Sequence, residues 1–371
     1  MTMEKENSFL AETGKIAIPV ALQVMLQSSF SMVDQIMIGQ LGSVSIAAIG
    51  LAGKFTSIFN VLTTAVASVA GIMIAQYMGK KEEKEVGRSF YVNLVVALAV
   101  AAVFTVICLA FPGQILDIYT KDPETKAVAV GYMRIVAASY FPIVGASLLS
   151  TVLRCMGKAS LPMYASFAAV MLNTGLNYIL IFGKCGVSPL GVNGAAVATI
   201  LSQAANFIVI LLLYLKYSRN QGKRLPFSLR LGAAGKQQYL AMLLPLLLNE
   251  LLWSIGENVY AAIYGRMGTA DCAAMTLINP IQGLMIGALS GISQAAGIII
   301  GKELGKQEEE QAYRKAKKLM CYGLCCSAVL SLLLLLLKNL YVSIYQVEDA
   351  VKLTAQQILI AFAIISPVKV Q

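Results

Sequence analysis

Long apolar stretches, separated by short polar and charged loops, recur along the whole chain. Nine are long enough to cross about 30 Å of hydrocarbon as α-helices, which rise about 1.5 Å per residue. They lie at about 16–38, 45–78, 89–111, 126–153, 161–183, 191–216, 237–264, 271–301 and 315–337, and a tenth begins near Lys352. The pattern predicts an all-α integral membrane protein whose first apolar run is a retained span.

The placement of charge gives this membrane protein an orientation. The 371 residues are 58% hydrophobic and 13% charged, with a mean hydropathy of +0.72 and a net charge of +10. Of the 29 Lys and Arg residues, 20 fall on one side of the predicted membrane and six on the other. Because basic loops stay in the cytoplasm, the N-terminus is predicted to be cytoplasmic. The positive charge therefore orients the chain in the lipid bilayer of the plasma (inner) membrane, and no nucleic-acid partner is expected.

The chain also contains an internal repeat. Residues 70–88, AGIMIAQYMGKKEEKEVGR, match 296–314, AGIIIGKELGKQEEEQAYR, at nine of 19 positions with an offset of 226. The same offset aligns 39–48 with 265–274 at four of ten positions and places Pro19 on Pro245. Since the two matching loops carry the same sign of charge, the halves are predicted to be parallel repeats with six spans each. Such repeats are typical of transporters that bind substrate between their halves.

The repeat divides the chain into two lobes. We expect an N-terminal lobe at 1–215, a cytoplasmic linker at 216–236 and a C-terminal lobe at 237–371 with about four spans. The second half ends at Gln371, which the repeat aligns with Gly145 of the first half. The expected architecture is therefore a C-terminally truncated twelve-span protein with about ten spans present. A ten-span relative is the alternative.

Three acidic residues fall inside predicted spans: Asp34, Glu250 and Glu257. A charge in hydrocarbon costs several kcal/mol, so an ionisable residue there is a candidate functional site. Asp34 could take and release protons, or its oxygens could bind Na⁺ together with neutral amide and hydroxyl oxygens. The alternative is an interfacial aspartate that reaches water, since Asp34 lies near the end of its span.

Polar side chains at helical spacing occur on the fifth and sixth spans. Asn173 and Asn177 are four residues apart, and Thr199, Gln203 and Asn206 follow at spacings of four and three. Each set shares one helix face. The two stripes could contribute to the cation site or to a cavity, or they could hold helices together.

The seventh span combines acidic and aromatic side chains. Glu250 and Glu257 are seven residues apart, and Trp253 lies between them. Carboxylates pair with organic cations, and aromatic rings attract them through cation–π contacts. Hydrogen bonding between helices is the alternative for both glutamates.

An enzyme is not expected, because no nucleophile–base pair or phosphate-binding loop occurs in or near a span. The chain contains no histidine, and its seven cysteines lack the spacing of metal ligands, so no metal site other than a possible Na⁺ at Asp34 is predicted. No cofactor is expected beyond H⁺ or Na⁺ as a coupling ion.

Several motifs together resemble the multidrug and toxic compound extrusion (MATE) family. They are VDQIMIGQLGSVSIAAIGLAGKF, GKKEEKEVGR, LRCMGKASLPM, LNTGLNYILIF, GVNGAAVAT and NELLWSIGENVYAAIYGRMGT, and they extend over nearly the whole chain. The resemblance implies twelve spans in two pseudo-symmetric lobes. It also implies a secondary antiporter, here expected to be a monomer, that exports small organic cations or drugs in exchange for H⁺ or Na⁺ by alternating access.

The resemblance assigns roles to individual residues. Asp34 is similar to an aspartate implicated in cation coupling, Asn173 and Asn177 to two polar positions of the fifth helix, and Thr199 to a threonine beside them. Several relatives have an aspartate where this chain has Asn177, which leaves the choice between H⁺ and Na⁺ open. Glu250 is similar to a helix-7 glutamate. The alternative function is a lipid-linked oligosaccharide flippase, which would need a cationic cavity, whereas only Lys54 and Arg134 are available within complete spans.

Overall fold

The fold is a set of membrane-length helices. The computed structural model describes residues 2–221, 225–229, 233–267, 269–343 and 349–369, and these contain no β-strand. The helices are α1 (Thr2–Gly39), α2 (Ser43–Lys80), α3 (Glu83–Ala110), α4 (Pro112–Asp117), α5 (Pro123–Val136), α6 (Tyr140–Cys155), α7 (Ser160–Phe182), α8 (Gly191–Gln221), α9 (Ala233–Met267), α10 (Thr269–Gly305), α11 (Glu309–Ser343) and α12 (Asp349–Lys369).

The predicted spans are confirmed by these helices. Nine helical stretches among the described residues are long and apolar enough to cross a membrane, and a shorter apolar stretch follows at Lys352–Pro367. The fourth span differs from an unbroken helix, because a 3₁₀ turn at Ala137–Ser139 separates α5 from α6. Pro142 explains the break, since its ring nitrogen cannot donate to the carbonyl four residues earlier. The short helix α4 also lies outside every predicted span.

The helices form two compact units. One contains Phe30–Glu250, and the other contains Met1–Ser29 with Leu251–Gln371. The unit boundaries therefore fall inside α1 and α9, the first helices of the two sequence repeats. The division predicted from the sequence, with a linker at 216–236, stays a prediction.

The unit at Phe30–Glu250 is built around α2, α3, α6 and α8. Within it α7 packs along α8, and α2 packs against both α3 and α6. Tyr140 is fully buried at its centre, where its ring stacks on Phe59 at 4.2 Å and its hydroxyl lies 3.2 Å from the Thr56 hydroxyl. These contacts combine ring burial with a satisfied polar atom, and they hold α2 against α6.

The other unit packs α10, α11 and α12 together. Its apolar core is made by buried side chains of those three helices, Ile278, Met285, Leu334, Val342, Ala355, Leu359 and Ala363. The α1 segment of this unit approaches α10 closely at Gly291, where an added β-carbon would lie 2.1 Å from the Ala17 carbonyl oxygen. Glycine is required there because the two backbones meet.

Candidate cation-binding site

Asp34 lies half-buried in the last turns of α1, within the unit at Phe30–Glu250. The Asn177 amide of α7 donates to Asp34 Oδ1 at 2.8 Å. The hydrogen-bond network favours the Asn173 amide orientation in which Nδ2 donates to Asp34 Oδ2 at 2.9 Å. Each carboxylate oxygen is thus hydrogen-bonded by an amide one helical turn from the other, which shows why Asn173 and Asn177 must share a face of α7.

Helix α8 extends this polar cluster. In the same orientation Asn173 Oδ1 accepts from the Ser202 hydroxyl at 3.2 Å, and Ser202 is 3% exposed. Thr199 lies one turn away on α8, where its hydroxyl donates to the Ala195 carbonyl at 2.9 Å. Ser202 therefore connects α8 to the site, although the sequence stripe had pointed to Thr199, Gln203 and Asn206.

A buried apolar group lies one helical turn from the cluster on α1, α7 and α8. Ile38, Ile181 and Ala195 form a buried group, and Tyr132 of α5 packs against it within electrostatic range of Asp34. The Asn177 side chain is 2% exposed, and its Oδ1 has no hydrogen-bond partner within the part of the chain that the structure describes. A half-buried carboxylate beside an amide oxygen without a described partner is an arrangement suited to a small cation.

The other predicted residues of the first half lie further along α8. Gln203 is half-buried, and Asn206 is 9% exposed with its Oδ1 buried. Neither has a described contact with Asp34, so their assignment to a cavity stays a prediction.

The acidic and aromatic group of the seventh span lies on α9. Glu250 is half-buried, Glu257 is exposed, and Trp253 is 48% exposed. Glu250 belongs to the unit at Phe30–Glu250, whereas Trp253 and Glu257 belong to the other unit. Their proposed role in substrate binding therefore rests on residue type and spacing.

Comparison with known proteins places this fold among membrane transporters. The profile of the MatE family matches residues 19–179 and 245–370. The chain is 23% identical over 357 residues to the uncharacterised transporter YisQ of Bacillus subtilis strain 168, covering 94% of this chain and 76% of that protein. It is 25% identical over 307 residues to a probable multidrug resistance protein NorM of Streptococcus pneumoniae strain R6, covering 80% of this chain and 66% of that protein.

A solved structure has the same fold. The crystal structure of MATE in complex with MaD3S superposes with a TM-score of 0.84 at 20% identity, covering 97% of this chain and 79% of that one. The fold and these matches define a multi-span membrane transporter. The chain belongs to the MatE family, whose members are transporters and not enzymes. This confirms the resemblance drawn from the sequence motifs and the all-α membrane fold that it implied.

Proposed function

We propose that this transporter is a secondary antiporter that exports small organic cations or drugs in exchange for H⁺ or Na⁺, with Asp34 binding the driving ion. The observation that carries the proposal is the pair of amides that hold the two oxygens of this intramembrane carboxylate at 2.8 and 2.9 Å. The NorM relatives, which are named as multidrug resistance proteins, support the drug-export part.

The chemistry of the cluster suits either coupling ion. A proton would bind directly to the Asp34 carboxylate and cancel its charge. Sodium would need several oxygen ligands, and this cluster supplies the carboxylate, the Asn177 Oδ1 atom and the hydroxyls of α8. Asp34 is the one carboxylate of the described cluster, and its other members are neutral amides and hydroxyls. Binding of one H⁺ or one Na⁺ would therefore neutralise the charge of the site.

Ion binding would act on transport through differential affinity. A ligand shifts a conformational equilibrium only by as much as it prefers one state. We propose that occupation of Asp34 weakens its hydrogen bonds to Asn173 and Asn177 and so favours one of two access states. The exported cation would favour the other state, with Glu250, Trp253 and Glu257 of α9 as its proposed contacts.

The orientation in the proposal is supported by charge. We propose a cytoplasmic N-terminus, because 20 of the 29 basic residues lie on the N-terminal side of the predicted membrane. A plasma-membrane location and a monomeric state complete the proposal. Lipid-linked oligosaccharide transport is less well supported, since Lys54 and Arg134 are both exposed on their helices.

The test is ethidium export from cells that lack their own efflux pumps, under a proton gradient or a sodium gradient in turn. We expect export with one gradient, and a loss of at least tenfold in Asp34→Asn at equal expression. The control is Asp117→Asn, the same exchange at an exposed aspartate that pairs with Lys126. Unchanged export in Asp34→Asn would contradict the coupling role, and absence of gradient-driven export in the parent would contradict antiport.

A further inference from the structure

The segment 225–229, which precedes α9, is packed onto α3. An added β-carbon at Gly87 would lie 2.2 Å from the Pro226 carbonyl oxygen and 2.9 Å from the proline ring. The Phe227 ring meets the Tyr91 ring edge-on, with centroids 4.8 Å apart. Because only glycine permits the approach of Pro226, Gly87 forms a notch for this segment.

Polar contacts fix the two ends of the same segment. Arg88 Nε donates to the Ser228 hydroxyl at 3.4 Å while its guanidinium pairs with Glu85 at 2.7 Å. At the other end, the side chain of Tyr214 on α8 hydrogen-bonds to the backbone of Leu225. The segment thus contacts two helices of the unit at Phe30–Glu250 through apolar, polar and backbone groups.

The second hairpin differs at the positions equivalent to Gly87 and Arg88. With the offset of 226, Gly87 aligns with Tyr313 and Arg88 with Arg314. Tyr313 is 72% exposed, and the Arg314 side chain is 73% exposed against 30% for Arg88. The glycine that forms the notch is therefore not repeated in the second hairpin.

The unit boundaries agree with this placement. Both 225–229 and the first part of α9, up to Glu250, belong to the unit at Phe30–Glu250. We propose that residues 225–229 form a strap that stays seated on α3 and α8 throughout transport. The inference concerns the moving parts of the proposed antiporter and rests on that function only for its transport test.

The seating of the strap can be tested without transport. Chymotrypsin cleavage after Phe227 is followed by mass spectrometry in the purified protein and in Gly87→Val, where the added side chain would displace Pro226. We expect at least fivefold faster cleavage there in Gly87→Val. Gly297→Val is the matched control, because an added β-carbon at Gly297 would meet no atom of another described segment within 4 Å. Equal cleavage in all three proteins would overturn the proposal.

A crosslink between the strap and α3 tests whether the strap stays seated during transport. In a chain whose seven cysteines are replaced by alanine, Tyr91→Cys and Phe227→Cys are joined by a short bismaleimide. We expect ethidium export within twofold of that of the uncrosslinked chain. A loss of tenfold or more upon crosslinking would show that the strap must leave α3 and would overturn the proposal. Absence of export before crosslinking would instead contradict the proposed antiport, and the cleavage assay would then decide whether the strap is seated.

Discussion

The hairpins α2–α3 and α10–α11 are related by the sequence repeat, yet their loop ends are stabilised differently. In the first hairpin Gly87 and Arg88 hold the strap at 225–229. In the second, the buried carboxylate of Glu303 accepts hydrogen bonds from Lys306 at 2.9 Å and from Lys315 at 2.8 Å. The two hairpins are thus built from equivalent helices, and different side-chain contacts stabilise their loop ends.

The ion cluster of the second hairpin also reaches α1. Lys315 Nζ lies 5.8 Å from the centre of the Phe9 ring, and that ring is 6.1 Å from the Tyr322 ring. The repeat aligns Glu303 with Tyr77 and Lys315 with Ser89, so the first half has no equivalent ion pair at these positions. The first hairpin therefore contacts the strap at 225–229, whereas the second contacts α1.

Breaking this ion cluster should have the largest effect on stability. The Glu303 side chain is 5% exposed, and Glu303→Gln would leave Lys315, which is 25% exposed, without its carboxylate. We expect the free energy of unfolding to fall by about 2–4 kcal/mol, because removing one partner of a buried pair leaves an uncompensated charge. Unfolding in an SDS titration measures the change.

The neighbouring exposed pair is the control for that substitution. Glu310 pairs with Arg314 at 2.6 Å, with side chains 80% and 73% exposed. Glu310→Gln should change stability by less than about 0.5 kcal/mol, as is usual for surface ion pairs. Equal changes in stability for Glu303→Gln and Glu310→Gln would show that the buried ion cluster contributes no more than an exposed ion pair, and would contradict the prediction.

A smaller loss is expected from Gly291→Ala, at the close approach of α10 and α1. The repeat aligns Gly291 with Ala65, which is 1% exposed, so the first half accommodates the methyl group that the second cannot. The new β-carbon would lie 2.1 Å from the Ala17 carbonyl oxygen, and we expect destabilisation of about 1–3 kcal/mol from overpacking. The thermal midpoint in detergent should fall accordingly, whereas Gly297→Ala on the same helix should leave it unchanged or slightly raised.

The smallest effect concerns Asp122, which caps α5 in the first half. Its side chain accepts hydrogen bonds from the Thr125 hydroxyl and from the Thr125 backbone N–H, and these lower the pKa of the Asp122 carboxyl. A lowered folded pKa means that the carboxylate contributes stability above about pH 4, which is lost as the pH falls through the folded pKa. Asp122→Asn should therefore lower the thermal midpoint slightly at pH 7. The thermal midpoint of this variant should also decrease less than that of the parent when the pH is lowered. An unchanged acid dependence would contradict this assignment.

The sequence predicted the elements that depend on length and hydropathy. Each predicted span is confirmed because a run of about twenty apolar residues has few alternatives to a membrane helix. The pairing of Asn173 with Asn177 followed from helical spacing, and both amides contact Asp34. Pro142 within the predicted fourth span indicates a bending point there, and the structure has a 3₁₀ turn at Ala137–Ser139, just before this proline.

Contacts between distant segments were beyond the sequence pattern. Ser202 lay outside the stripe that linked Thr199 to Gln203, and its bond to Asn173 depends on how α7 and α8 are rotated. Glu303 lies outside every predicted span, and nothing in its neighbours reveals that Lys315, twelve residues away, donates a hydrogen bond to it. A glycine within a helix often marks a close approach of another segment. The sequence does not show that the segment close to Gly87 is the one that contains Pro226.

The most direct test of the central claim, that Asp34 binds the ion exchanged for the drug, is the affinity of the purified transporter for ethidium as H⁺ or Na⁺ is varied. Ethidium fluorescence gives the dissociation constant, with choline chloride holding the ionic strength constant. For the parent chain we predict that the dissociation constant rises at least tenfold as the coupling ion is added. For Asp34→Asn we predict a change of less than twofold. A variant that responds to the ion as the parent does would contradict the account.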